Sequence, residues 1–181
     1  GRDACTLLGR LSCNQIDVDP GRIVYTQWVN KAGGFEADLT GTRLERDKFL
    51  VVCGENAPGH TEMRMRRHVG SNEFVTVLDT TSATTQINIH GPRARDLMQK
   101  ASFTDMSNEA FPYLCAKEID IGYASLLAIR VTYVGELGWE LHIPTIHAVQ
   151  VYDQLIEAGR EFGLRHAGLQ TLSSLRLEKA Y

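Results

Sequence analysis

Three stretches hold side chains that are unusual for purely structural positions. Asp38 follows a Gly33-Gly34 turn signal, and counting by twos puts it on one strand face with Glu36 and Thr40. Ala37 and Leu39 take the other face, so Asp38 is either part of a solvated polar face or a carboxylate held for chemistry. Tyr133-Val134-Gly135-Glu136-Leu137-Gly138-Trp139-Glu140 sets aromatic and acidic residues around glycines. The glycines let backbone approach a ligand closely, and Glu136 and Glu140 can each accept hydrogen bonds. The alternative is a hairpin turn with a core Trp139. Arg176 lies four residues after Leu172 and seven after Leu169, on an apolar helical stripe. A guanidinium there must snorkel, pair with a carboxylate or bind an anion.

The elements that carry these residues follow from pattern. Ala4, Leu7, Leu8 and Leu11 have helical spacing, ended by Asp17-Val18-Asp19-Pro20-Gly21. The chain thus starts almost inside an element, as expected of an internal piece of a longer protein. Residues 22–29 and 35–40 predict a hairpin joined by Asn30-Lys31-Ala32-Gly33-Gly34, and 49–53 a buried strand. A polar helix is expected from Pro58 to His68, and strands at 75–78 and 86–89. Pro92 suits the first turn of a helix reaching Lys100. Residues 119–131 give two strand pieces around Gly122, and a further strand follows Gly138. Thr145 is expected to cap a helix that turns Val149, Tyr152 and Ile156 inward, and a last helix runs from about Gly168. Without strict βαβ alternation or an internal repeat, the order implies an α+β fold with antiparallel or mixed sheets and packed helices.

Composition removes several function classes. The 181 residues suit one domain, or two small lobes, and are 43% hydrophobic and 23% charged, an ordinary globular mixture. A net charge of −3 gives no footprint for nucleic acid. The basic run Arg64-Met65-Arg66-Arg67-His68 has Glu62 beside it and reads as a solvated helix face. The apolar run around 125–131 is too short to span a membrane. Cys5, Cys13, Cys53 and Cys115 form no C-x-x-C pair and read as reduced, half-buried residues. His142 and His147 lack the spacing of two metal ligands on one helix face, so no metal is expected. Gly33-Gly34 is no phosphate loop, and Ser173-Ser174 has no nucleophile elbow.

Four segments in order resemble one family across nearly the whole chain. They are residues 30–40, His90-Gly91-Pro92-Arg93-Ala94-Arg95, residues 133–140, and Ser174-Leu175-Arg176-Leu177-Glu178. They are similar to motifs of the aminomethyltransferase, or glycine-cleavage T protein, family of folate-binding domains. Residues 21–28 and 35–38 look more like the C-terminal folate domains of dimethylglycine and sarcosine dehydrogenases. The resemblance implies one partial folate-binding domain over 1–181, lacking the family's C-terminal β-barrel. It implies tetrahydrofolate as cofactor and 5,10-methylenetetrahydrofolate as product of N-methyl amine oxidation. FAD would sit in a separate flavin domain of the same parent chain, since no G-x-G-x-x-G occurs here. Folate and a one-carbon donor are the expected partners, with neither nucleic acid nor membrane. The expected compartment is the bacterial cytoplasm or the mitochondrial matrix.

By the same resemblance, Asp38 is the catalytic carboxylate beside the reactive folate nitrogens, where it stabilises a cation and steers a proton. Glu140 reads the pterin edge, accepting its adjacent N–H groups. Tyr25 and Tyr133 line the pocket, and Arg176 holds the folate or orients an acidic residue. Val134 departs from the family's threonine, and Gly41 from a strand valine. Two alternatives stay open: a T protein acting on a lipoyl carrier, and a non-catalytic regulatory relative.

Overall fold

The computed structural model describes residues 1–54 and 57–181. It is mixed α and β with antiparallel sheets, and it divides into two compact units, Gly1–Thr80 and Thr81–Tyr181.

The first unit holds α1 (Ala4–Leu11), β1 (Ile23–Val29), β2 (Phe35–Glu45), β3 (Lys48–Cys53) and α2 (Pro58–His68). Its sheet order is β1-β2-β3, antiparallel throughout. Asn30 makes the first hairpin: its Oδ1 accepts from the backbone N–H of Ala32 at 3.0 Å and Gly34 at 2.9 Å. Gly33 takes a φ of +80°, which a Cβ would resist. Leu7, Leu8 and Leu11 of α1 pack on Trp28, Ala37 and Leu39, with Ile16 filling the centre. Ile16 also explains Gly41: a Cβ there would come within 2.6 Å of Ile16 Cδ1, so the valine-sized space is already taken.

Three expectations fail in this unit. Residues 75–78 form no strand and join no sheet among the described residues. Side chains and helix ends hold that segment instead: Asp3 Oδ2 accepts from Phe74 N at 2.7 Å, and Arg66 donates to the Val77 carbonyl at 2.6 Å. β3 is half-buried, not buried, because it is a sheet edge with core contact through Phe49, Val51 and Cys53 only. Cys13 is exposed, unlike the half-buried Cys5, Cys53 and Cys115.

The second unit holds β4 (Thr84–His90), α3 (Ala94–Ala101), β5 (Ala116–Ile121), β6 (Ala124–Ile129), β7 (Gly138–Pro144), α4 (Ala148–Gly159) and α5 (Leu169–Lys179). The sheet order is β4-β7-β6-β5. Trp139, Leu141 and Ile143 meet Leu97 and Met98 of α3 and Val151 and Leu155 of α4 in one core. Phe111 packs edge-on against Trp139 at 6.0 Å. Pro92 falls in the turn before α3, not in its first turn. Thr145 caps nothing; its hydroxyl donates to the Ser82 carbonyl, and a 3₁₀ turn over Thr145–His147 precedes α4. That turn shifts the phase of α4. Val151, Leu155 and Ala158 face the core, whereas Val149 is 74% exposed and Tyr152 and Ile156 are only partly covered.

Candidate functional site

Each unit carries part of the expected residue set. In the first, β1 and β2 pair Gln27 with Asp38 and Tyr25 with Thr40. Tyr25 is therefore the diagonal neighbour of Asp38, and its hydroxyl donates to Asp38 Oδ2 at 3.3 Å. Both side chains are exposed, on the face opposite Ala37 and Leu39. One step along this face, Glu36 accepts from Asn30 Nδ2 at 3.0 Å and lies 3.0 Å from His60 Nε2 and 3.4 Å from Arg64 of α2. The Asn30 hydrogen bond, with His60 and Arg64, holds the Glu36 carboxyl below the ordinary range. Glu36 thus anchors α2 to the hairpin, and among the described residues Tyr25 is the one donor to the Asp38 carboxylate.

In the second unit, Glu140 sits mid-strand on β7, beside Asn88 of β4 and Ile129 of β6. Gly138 brings the strands together, since a Cβ there would lie 2.1 Å from His90 Nδ1 and 2.5 Å from the Ile89 carbonyl. Burial pushes the Glu140 carboxyl up. Among the described residues the one ionisable partner within 4 Å of it is His142, at 3.9 Å. Such a carboxylate is an acceptor still in need of donors.

Tyr133 and Arg176 are brought together. The guanidinium lies 5.3 Å from the Tyr133 ring centre and donates to its hydroxyl, while two more N–H groups reach the Tyr181 carbonyl. No hydrogen bond or ion pair joins Glu140 to Tyr133 or Arg176 among the described residues. Val134 lines a cleft of about 540 Å³ with Asn88, His90, Tyr152, His166 and Leu172, along the free edge of β4. The structure adds His142 to the expected set. Its signal was the two-residue spacing from Glu140, which puts both on one strand face. No group of His, Cys, Asp and Glu among the described residues is arranged to hold a metal, and no helix is long and apolar enough to cross a membrane.

Residues 1–181 match the GCVT N-terminal domain family. The chain belongs to this family. It is 33% identical over 195 residues to mouse (Mus musculus) mitochondrial sarcosine dehydrogenase, all of the chain matching 21% of that protein. It is 34% identical over 182 residues to the mouse mitochondrial pyruvate dehydrogenase phosphatase regulatory subunit, again all of the chain and 21% of the relative. The chain therefore spans about a fifth of the length of these curated relatives. Its fold matches the crystal structure of glycine cleavage system aminomethyltransferase T from Bartonella henselae, with TM-score 0.82 and 22% identity over all of this chain and 47% of that one. The chain is thus an aminomethyltransferase-like α+β domain related to sarcosine dehydrogenases, as the four sequence segments implied.

Proposed function

We propose that this domain binds tetrahydrofolate and directs transfer to it of a one-carbon unit released by N-methyl amine oxidation. The oxidation itself would belong to a flavin domain of the parent protein. The observation that carries the reading is Glu140, a half-buried carboxylate with no ion-pair partner closer than 3.9 Å among the described residues. A pterin edge presents adjacent N–H donors that suit it, so the donor set fits the group.

Tetrahydrofolate, when bound, supplies nucleophilic nitrogens that accept the one-carbon unit. The chain's own residues do the rest. Glu140 accepts the pterin N–H groups and fixes the ring's orientation. Tyr133, kept in place by Arg176, offers an aromatic wall. Asp38 would hold negative charge for a cationic one-carbon donor and would accept a proton at its carboxylate. Tyr25, donating to Asp38 Oδ2, holds that carboxylate in one rotamer.

Calorimetric titration with reduced tetrahydrofolate tests the reading. Saturable binding is expected, weakened by about 1.5 kcal/mol or more in Glu140→Ala, the worth of a hydrogen bond to a charged group. Absence of binding by the chain and by its full-length parent would sink the folate assignment. The 34% identity to the phosphatase regulatory subunit would then favour a regulatory role without transfer chemistry.

A further inference from the structure

Glu140 and His142 are two apart on β7, so both project from the face opposite Trp139, Leu141 and Ile143. His142 is only 8% exposed, and its Nε2, shut off from water, has no hydrogen-bond partner among the described residues. Buried polar atoms are nearly always paired, so an orphaned imidazole nitrogen calls for a partner. Glu140 Oε2 lies 3.9 Å from it. That is beyond a hydrogen bond, and a side-chain shift of about 1 Å closes it.

The neighbours leave few alternatives. β6 contributes Leu127 beside His142 and Ile129 beside Glu140, neither titratable. β4 contributes His90, Asn88 opposite Glu140, and Gln86 opposite His142; Gln86 Nε2 donates to Asn88 Oδ1 at 3.0 Å, which leaves Gln86 Oε1 as the other side-chain acceptor on this face. His90 lies against Gly138, its register partner. Helices α3 and α4 meet β7 on the opposite face, through Leu97, Met98, Val151 and Leu155.

We propose that His142 is a positioning residue for Glu140. Its Nε2–H closes onto Oε2 by that small side-chain shift, in the free chain as with a ligand bound, and keeps Glu140 turned towards the ligand. This rests on the reading of Glu140 as the ligand carboxylate. A buried ring with no such role would serve only to fill space, and the test separates the two.

The wild-type chain, Glu140→Gln, His142→Gln and His142→Leu are compared without ligand by carbon-13 NMR of the glutamate carboxyls. Glu140→Gln assigns the Glu140 resonance. Glutamine keeps a donor near the Nε2 position, and leucine keeps only volume. His142→Leu is expected to raise the Glu140 midpoint by about one pH unit, and His142→Gln to return it close to wild type. An unmoved midpoint in His142→Leu, or equal shifts in both variants, overturns the proposal. Nitrogen-15 shifts of the wild-type imidazole need no variant to fold: a ring protonated on Nδ1 alone, with a bare Nε2, overturns it as well.

Tetrahydrofolate titration is run in parallel. About tenfold weaker binding is expected for His142→Leu, and within about threefold of wild type for His142→Gln. If the ligand-free NMR pattern holds but no tetrahydrofolate binds to wild type, His142 still positions Glu140. The folate reading then fails on its own.

Discussion

The Tyr25 hydroxyl and Asp38 Oδ2 lie 3.3 Å apart on the open face of the first hairpin, with the diagonal register of β1 and β2 holding them there. Among the described residues no hydrogen bond reaches the other carboxylate oxygen. Asp38→Asn keeps the shape and removes the charge. It is expected to leave tetrahydrofolate binding within about threefold and to slow one-carbon transfer by about 10²-fold or more. Stopped-flow measurement of methylenetetrahydrofolate formation by the full-length protein checks it. Equal losses in binding and transfer would make Asp38 a binding residue instead.

Asn30 bears most of the turn that presents Asp38. Asn30→Ala removes the acceptor of the Ala32 and Gly34 amides and the donor to Glu36. A loss of about 1–2 kcal/mol in urea unfolding is expected. The Glu36 carboxyl should also move up towards its ordinary range, because the Asn30 hydrogen bond is the largest cause of its depression. A variant as stable as wild type would show that Gly33 and Gly34 suffice.

Glu140 and the buried histidines tilt stability with pH in opposite directions. Burial raises the Glu140 carboxyl above its unfolded value of 4.5, so the folded state binds that proton more readily. Its contribution therefore worsens as pH rises from 4.5 through the raised midpoint. Burial lowers His90 and His142 below 6.5, so their contribution is present above 6.5 and lost as pH falls through the lowered midpoints. Glu140→Gln is expected to stabilise the chain at pH 7 while weakening tetrahydrofolate binding. Urea midpoints at pH 5, 6, 7 and 8 test this, and a less stable Glu140→Gln at pH 7 would contradict it.

Trp28 is fully buried in the first unit, and its Nε1 donates to Ser12 Oγ at 3.1 Å. Ser12→Ala strands that N–H and should cost about 1–3 kcal/mol, whereas Trp28→Ala should cost about 3–5 kcal/mol. Denaturant unfolding followed by far-UV circular dichroism distinguishes them. Equal losses would show that the hydrogen bond, not the indole volume, matters at this site.

The two α4 stripes show where sequence reading reaches its end. Residues 148–159 are apolar over a wide arc, so both Val149-Tyr152-Ile156 and Val151-Leu155-Ala158 fit a buried face. The 3₁₀ turn at Thr145–His147 sets the rotation at which the chain leaves β7, and it selects the second. Residues 75–78 teach the same lesson in a strand-like segment. Their alternation is real, yet pairing needs a free neighbouring strand edge, and side chains of Asp3 and Arg66 take the backbone groups instead.

What the sequence determined alone was local. Asn30, Gly33 and Gly34 dictate the first hairpin because their own backbone and side-chain geometry close the turn. Period two then puts Asp38 on the face away from Ala37 and Leu39, and ordered motifs name the family. Tertiary structure decided what depends on distant chain. It half-buried Glu140, set His142 beside it without a hydrogen bond, and joined Tyr133 to Arg176 across 43 positions. The reason is physical: desolvation and long-range pairing are properties of the surroundings, which no residue specifies by its own type.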